Sequence, residues 1–118
     1  MLKNFGIGID IVEIKRFQEK PFEKNVNFYK KIFTDSEIKY CLTKKNFTEE
    51  FALKFAIKEA VIKSIKKQIE LFNIITDYEY SNPIVSLKND KTYKFLVSCT
   101  HEKLFAIAAI VSEKQISS

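Results

Sequence analysis

Apolar and polar or small residues alternate from Phe5 to Val12. Phe5, Ile7, Ile9 and Ile11 fall on one face, and Gly6, Gly8, Asp10 and Val12 on the other, the period-two pattern of a strand. Glu13 to Lys20 follows as a short helix candidate, stopped near Pro21 because proline lacks the N–H a helix interior needs. Thr34-Asp35-Ser36-Glu37 has capping-box spacing, with Thr34 as N-cap and Glu37 three residues on. A long helix is predicted from Thr48 to about Glu70, with Glu49 and Glu50 in its first turn. Apolar residues lie almost all round it, so it belongs in the core. Tyr78–Tyr80, Ile84–Leu87, Tyr93–Thr100 and Leu104–Ser112 are strand candidates. The polar His101-Glu102-Lys103 between the last two predicts a hairpin. The predicted class is α+β, a long helix packed on a mostly antiparallel sheet. With no repeat and no linker, residues 1–118 read as a single domain.

Composition narrows the chemistry. The chain is 46% hydrophobic and 30% charged, ordinary for a soluble globular protein. Its net charge of +5 favours acidic partners: nucleic acid, anionic lipid, a phosphorylated cofactor or an acidic protein. Cys41 and Cys99 are the only cysteines and His101 the only histidine, too few ligands for a zinc site. Two isolated cysteines fit a reducing compartment, as small core residues. No apolar run suggests a signal peptide or a membrane span, so a cytoplasmic location without membrane attachment is expected.

Asp10 shares its strand face with two glycines, so the sheet beside it is bare and another backbone or a ligand can approach closely. Asp10 there could hold a metal or a phosphate-bound cation; equally, it could cap the helix that follows. Glu59 lies on the long helix among Ala52, Phe55, Ala56 and Ile62, where a carboxylate is costly unless paired or metal-bound. An ion pair with Lys63, four residues on, is the alternative. Lys54 and Lys58 lie one turn apart and could meet a polyphosphate as point charges, or simply be solvated. Ser98 with His101 lacks an obvious carboxylate to orient the ring, so nucleophilic catalysis there is unsupported.

These pieces stand in a familiar order. Gly6-Ile7-Gly8-Ile9-Asp10-Ile11-Val12-Glu13-Ile14 resembles the opening motif of the holo-acyl-carrier-protein synthases, in the 4'-phosphopantetheinyl transferase family. Phe33-Thr34 with Glu37 is similar to that family's F-T-x-x-E segment, and Lys54-Phe55-Ala56-Ile57-Lys58-Glu59-Ala60 to its R-F-A-x-K-E-A helix. Ser98-Cys99-Thr100-His101 resembles its S-x-[ST]-H ending. The resemblance implies a single copy of the phosphopantetheinyl transferase-like fold and transfer of 4'-phosphopantetheine from coenzyme A to a serine of apo-acyl carrier protein. It implies too that adenosine 3',5'-bisphosphate leaves and that the reaction serves fatty acid biosynthesis.

It further implies Mg²⁺ held by Asp10 and Glu59, with Lys58 neutralising pyrophosphate charge and so counted with them as catalytic. Lys54, Lys58 and His101 would contact the coenzyme, although Lys54 stands where the family has Arg and loses any bidentate grip. Arg16 matches a carrier-docking arginine, with Lys20 continuing at four-residue spacing. A homotrimer with sites between subunits is implied as well. Two departures fall on nucleotide contacts: Ile62 replaces a usual Ser, and Lys66-Lys67-Gln68-Ile69-Glu70 replaces a Gly-rich turn. The competing readings are a transferase for secondary-metabolite carriers, whose members usually fuse two copies of the fold, and a basic nucleic-acid-binding module. The module lacks any motif, and its phenylalanines fall at core positions. No nucleic-acid partner is expected.

Overall fold

A computed structural model describes residues 2–115. Strand β1 (Phe5–Glu13) pairs antiparallel with β5 (Phe105–Lys114), which pairs antiparallel with β4 (Tyr93–His101). These form a three-stranded sheet in the order β1-β5-β4, and the predicted β4–β5 hairpin is present. β2 (Ile74–Glu79) and β3 (Asn82–Leu87) form a separate two-stranded ribbon. Tyr80 and Ser81 both take positive φ, 50° and 70°, at its turn, which matches the right-handed twist of a tight hairpin. β2 begins four residues before the predicted Tyr78; Ile74 and Thr76 are its buried positions.

Among the described residues there are four α-helices: α1 (Lys15–Gln18), α2 (Val26–Lys30), α3 (Asp35–Leu42) and α4 (Phe47–Ile65). Thr34 and Glu37 make the expected capping box at α3, with both reciprocal bonds formed. α2 carries no sequence signal of its own. It is placed by aromatic packing, since Phe17, Tyr29, Phe33 and Phe51 are buried against one another. α4 departs from expectation at both ends. It starts at Phe47 after Asn46, which makes no side-chain cap, and stops at Ile65 rather than near Glu70. Lys66 takes the left-handed conformation with φ 55° and its N–H bonds the Ile62 carbonyl. The chain then folds back, and Ile69 and Leu71 pack on the core. Tertiary packing, not local propensity, ends the helix.

From Phe51 to Val61 every α4 residue except Glu59 is buried. The bare strip on β1 explains how the helix sits so close. A Cβ on Gly8 would lie 1.9 Å from the Ala60 carbonyl oxygen, and one on Gly6 1.8 Å from that of Ser64. The object that approaches the glycines is therefore the α4 backbone. Gly8→Ala should lower stability by about 1–3 kcal/mol, because the clash is with backbone that cannot swing away. Urea denaturation checks this, and an unchanged midpoint would contradict the close packing.

Both cysteines are free, Cys41 buried and Cys99 half-buried. Burial pushes the Cys41 thiol up to about 12, so it is an inert core group.

Candidate active site

The antiparallel run of α4 over Gly6 and Gly8 sets the next step. Ser64 lies over Gly6 and Ala60 over Gly8, so Asp10 continues the same strand face toward the preceding turn, where Glu59 emerges. Glu59 is half-buried, and its carboxyl is pushed above the usual range, first by burial and then by the Asp10 charge. Lys63 and Arg16 are the cations that pull it the other way.

The alternative partner for Glu59 goes elsewhere. Lys63 Nζ donates to Asp10 Oδ1 at 3.0 Å and to the Ile9 carbonyl at 3.1 Å, and no Glu59 ion pair occurs among the described residues. Two carboxylates and an exposed ammonium thus converge at one end of the glycine strip. Lys63 is the site residue that reading α4 in isolation undervalued. Its spacing from Glu59 was visible, but its partner depended on where β1 lies.

Lys54 and Lys58 do not join this cluster. Lys58 has no exposed surface, and its ammonium donates to Glu37 Oε1 at 2.6 Å, to the Ile32 carbonyl at 2.8 Å and to the Leu71 carbonyl at 3.0 Å. Burial pulls its pKa down, and Glu37 opposes that pull. Lys54 is also buried; it donates to Thr76 Oγ1 at 3.0 Å and sits 4.8 and 5.0 Å from the Tyr40 and Tyr78 ring centroids. Each ammonium is buried and used inside the chain. His101 is exposed at the end of β4, with Nδ1 3.6 Å from Glu49 Oε2. Glu49 is in the first turn of α4, about 15 Å along the helix axis from Glu59. Within one chain, His101 therefore lies apart from the two carboxylates.

Arg16 and Lys20 are exposed, and each lies over a ring: Arg16 Cζ is 4.8 Å from the Phe55 centroid and Lys20 Nζ 4.4 Å from that of Phe28. α1 ends at Gln18, so Lys20 lies beyond it and the expected helical stripe is not continuous.

The sequence profile described as the 4'-phosphopantetheinyl transferase superfamily matches residues 6–111. The chain belongs to this superfamily. Among its relatives in it, a holo-[acyl-carrier-protein] synthase of Thermodesulfovibrio yellowstonii is 38% identical over 110 residues, 90% of this chain and 96% of the relative. Another, of Geotalea daltonii, is 32% identical over 124 residues, 93% of this chain and 98% of the relative. Solved superfamily structures agree with the fold. The Bacillus anthracis holo-(acyl-carrier-protein) synthase in complex with CoA (3',5'-ADP) superposes with a TM-score of 0.79 at 28% identity, covering 93% of this chain and 96% of that one. The Helicobacter pylori enzyme in complex with coenzyme A gives 0.80 at 28%, covering 91% and 99%. As a phosphopantetheinyl transferase of the holo-acyl-carrier-protein synthase type, the chain moves 4'-phosphopantetheine from coenzyme A to a serine of an apo-acyl carrier protein.

Proposed function

We propose that this transfer takes place at Asp10, Glu59 and Lys63, with Asp10 and Glu59 holding Mg²⁺. The observation that carries the reading is the meeting of two carboxylates at the end of the glycine strip, where burial and then the Asp10 charge raise the pKa of Glu59. The donor set fits the ion. Among the described residues no group of three or more His, Cys, Asp or Glu comes together, so the chain would offer the ion these two carboxylate ligands, with phosphate and water completing the oxygen shell Mg²⁺ takes. When bound, the ion supplies charge neutralisation at the pyrophosphate. Lys63, exposed and already beside Asp10, places a further positive charge at the phosphate where the serine hydroxyl attacks. Adenosine 3',5'-bisphosphate then departs.

The working unit is a homotrimer, with His101 of one subunit reaching the nucleotide bound at the carboxylates of the next. Two observations support this: the wide separation of His101 from Glu59, and an exposed apolar face on the three-stranded sheet. The acidic carrier docks at Arg16 and Lys20, whose heads are preordered over Phe55 and Phe28. No helix among the described residues is long and apolar enough to cross a membrane. We place the reaction in the cytoplasm, serving fatty acid biosynthesis.

Mass spectrometry of an apo carrier protein incubated with the chain, coenzyme A and Mg²⁺ should show a gain of one phosphopantetheine, lost when EDTA replaces the metal. Transfer undiminished in EDTA would remove the metal from the scheme. Arg16→Glu should raise the carrier KM by about tenfold at low salt, a gap that narrows as salt screens the surface. Coenzyme A KM should move much less. An unchanged carrier KM in low salt would move the docking surface elsewhere.

A further inference from the structure

After α4 ends, residues 67–71 run back past the helix with few backbone hydrogen bonds, Ile69 and Leu71 packing on the core and Lys67 Nζ 3.7 Å from Asp90 Oδ2. Among the described residues, no backbone hydrogen bond ties Lys67, Gln68 or Ile69 to helix or sheet; the Glu70 carbonyl accepts from the Asn73 N–H, and the Leu71 carbonyl from the Ile74 N–H at the start of β2. Yet this stretch forms a wall. Glu59, Ile62, Gln68, Ile69, Glu70 and Leu71 line a groove of about 410 Å³ beside the site carboxylate. From the helix that carries Glu59, one buried side chain reaches across to the wall: Lys58 Nζ donates to the Leu71 carbonyl at 3.0 Å.

Lys58 is itself held rigidly. Glu37 Oε1 accepts from Lys58 at 2.6 Å and from the Thr34 N–H at 2.8 Å, while Oε2 accepts from the Thr76 N–H at 2.8 Å and from the Thr76 hydroxyl. The Ile32 carbonyl takes another Lys58 proton. The network therefore anchors the groove wall to α3, to β2 and to the helix that carries Glu59. A buried polar network with each member satisfied rigidifies what it connects.

We propose that Lys58 is a positioning residue: anchored on Glu37, it fixes the 68–71 wall against Glu59 and so sets how tightly the groove receives coenzyme A. The inference rests on the groove beside Glu59 being the coenzyme site. It reassigns the lysine from touching phosphate to acting through the Leu71 carbonyl. Such a role tightens binding without touching the reacting atoms, so its loss appears in KM rather than kcat.

The test uses the double variant Glu37→Gln/Lys58→Met, which removes both buried charges together and leaves a side-chain amide oxygen at position 37 to accept the Thr34 N–H. Amide exchange on the ligand-free protein should quicken by about tenfold or more across residues 68–73 and stay unchanged across 51–62 of α4. With Mg²⁺ and carrier present, coenzyme A KM should rise by about tenfold while kcat stays within about twofold. A merely structural network would lower the melting temperature and leave KM where it was, which overturns the proposal. A fall in kcat at saturating coenzyme A with KM unchanged overturns it too, since that marks direct contact with the reacting phosphate. Glu37→Gln alone is the milder companion should the double variant fail to fold, with both effects in the same direction at about threefold. The exchange readout needs no substrate: unchanged exchange at 68–73 refutes the tether. Faster exchange with unaltered coenzyme A KM refutes the link between wall and site, and a wild type that does not saturate with coenzyme A refutes the assignment of the groove.

Discussion

Asp10→Ala and Glu59→Ala should each lower the Mg²⁺-dependent transfer rate by roughly three orders of magnitude, the equivalent of about 4 kcal/mol of transition-state stabilisation. Neither should weaken the metal-free fold appreciably. Burial and Asp10 raise the Glu59 pKa in the folded chain. For a carboxyl with a raised folded pKa, the native state binds more protons than the unfolded one between the two values. Stability from this group is present below the unfolded pKa and is lost as pH rises through the folded one. At pH 7 without metal the ionised Glu59 is therefore a burden, with Asp10 as the like charge and Lys63 and Arg16 as partial compensation. Glu59→Gln should melt above the wild type at pH 7, and the gap should close near the ordinary glutamate value of about 4.3. Mg²⁺ should raise the wild-type melting temperature and leave Glu59→Gln where it is. Asp10→Ala loses only an ion pair whose lysine is largely exposed, worth about 0–1 kcal/mol. Scanning calorimetry with and without metal, beside rates for each variant, checks the set. A Glu59 variant that melts lower without metal yet keeps a metal-dependent rate would show that Glu59 is structural.

Ile9→Glu should separate the subunits and remove most activity. The sheet face turned away from α4 carries Phe5, Ile7, Ile9 and Ile11 along β1, at 49, 77, 63 and 59% exposure, with Val111 and Leu96 on the neighbouring strands in register. A contiguous exposed apolar face of this kind is the mark of an association surface. Burying a carboxylate in it costs several kcal/mol, on the order of 4, and the proposed trimer would repeat that cost at every interface. The fold itself should survive, because Ile9 is already exposed in the single chain. Light scattering should give a trimer for the wild type and a monomer for the variant, with activity lower by about a hundredfold or more because each carboxylate pair loses its neighbouring His101. Mixing Asp10→Ala with His101→Ala subunits should restore activity at interfaces that pair the intact halves. A wild type that scatters as a fully active monomer would end the shared-site proposal.

Local pattern determined a good deal. The β1 alternation with glycines on one face, the Thr34–Glu37 box, the burial of α4 and the β4–β5 hairpin were all legible, because each depends on residues close in sequence. The motif order was legible for the same reason and led to the superfamily. The partner of each charge was not. Lys58 follows an acceptor in Glu37, 21 residues back, and its companion Lys54 finds Thr76, 22 residues on. Lys63 turns from Glu59 to Asp10, 53 residues away. Helical spacing says only which residues share a face; whether that face meets solvent, a counter-charge or a carbonyl is decided by the elements packed against it. The end of α4 follows the same rule, since Lys66 resists the left-handed turn by itself and adopts it where Ile69 and Leu71 gain the core and Lys58 holds the returning chain.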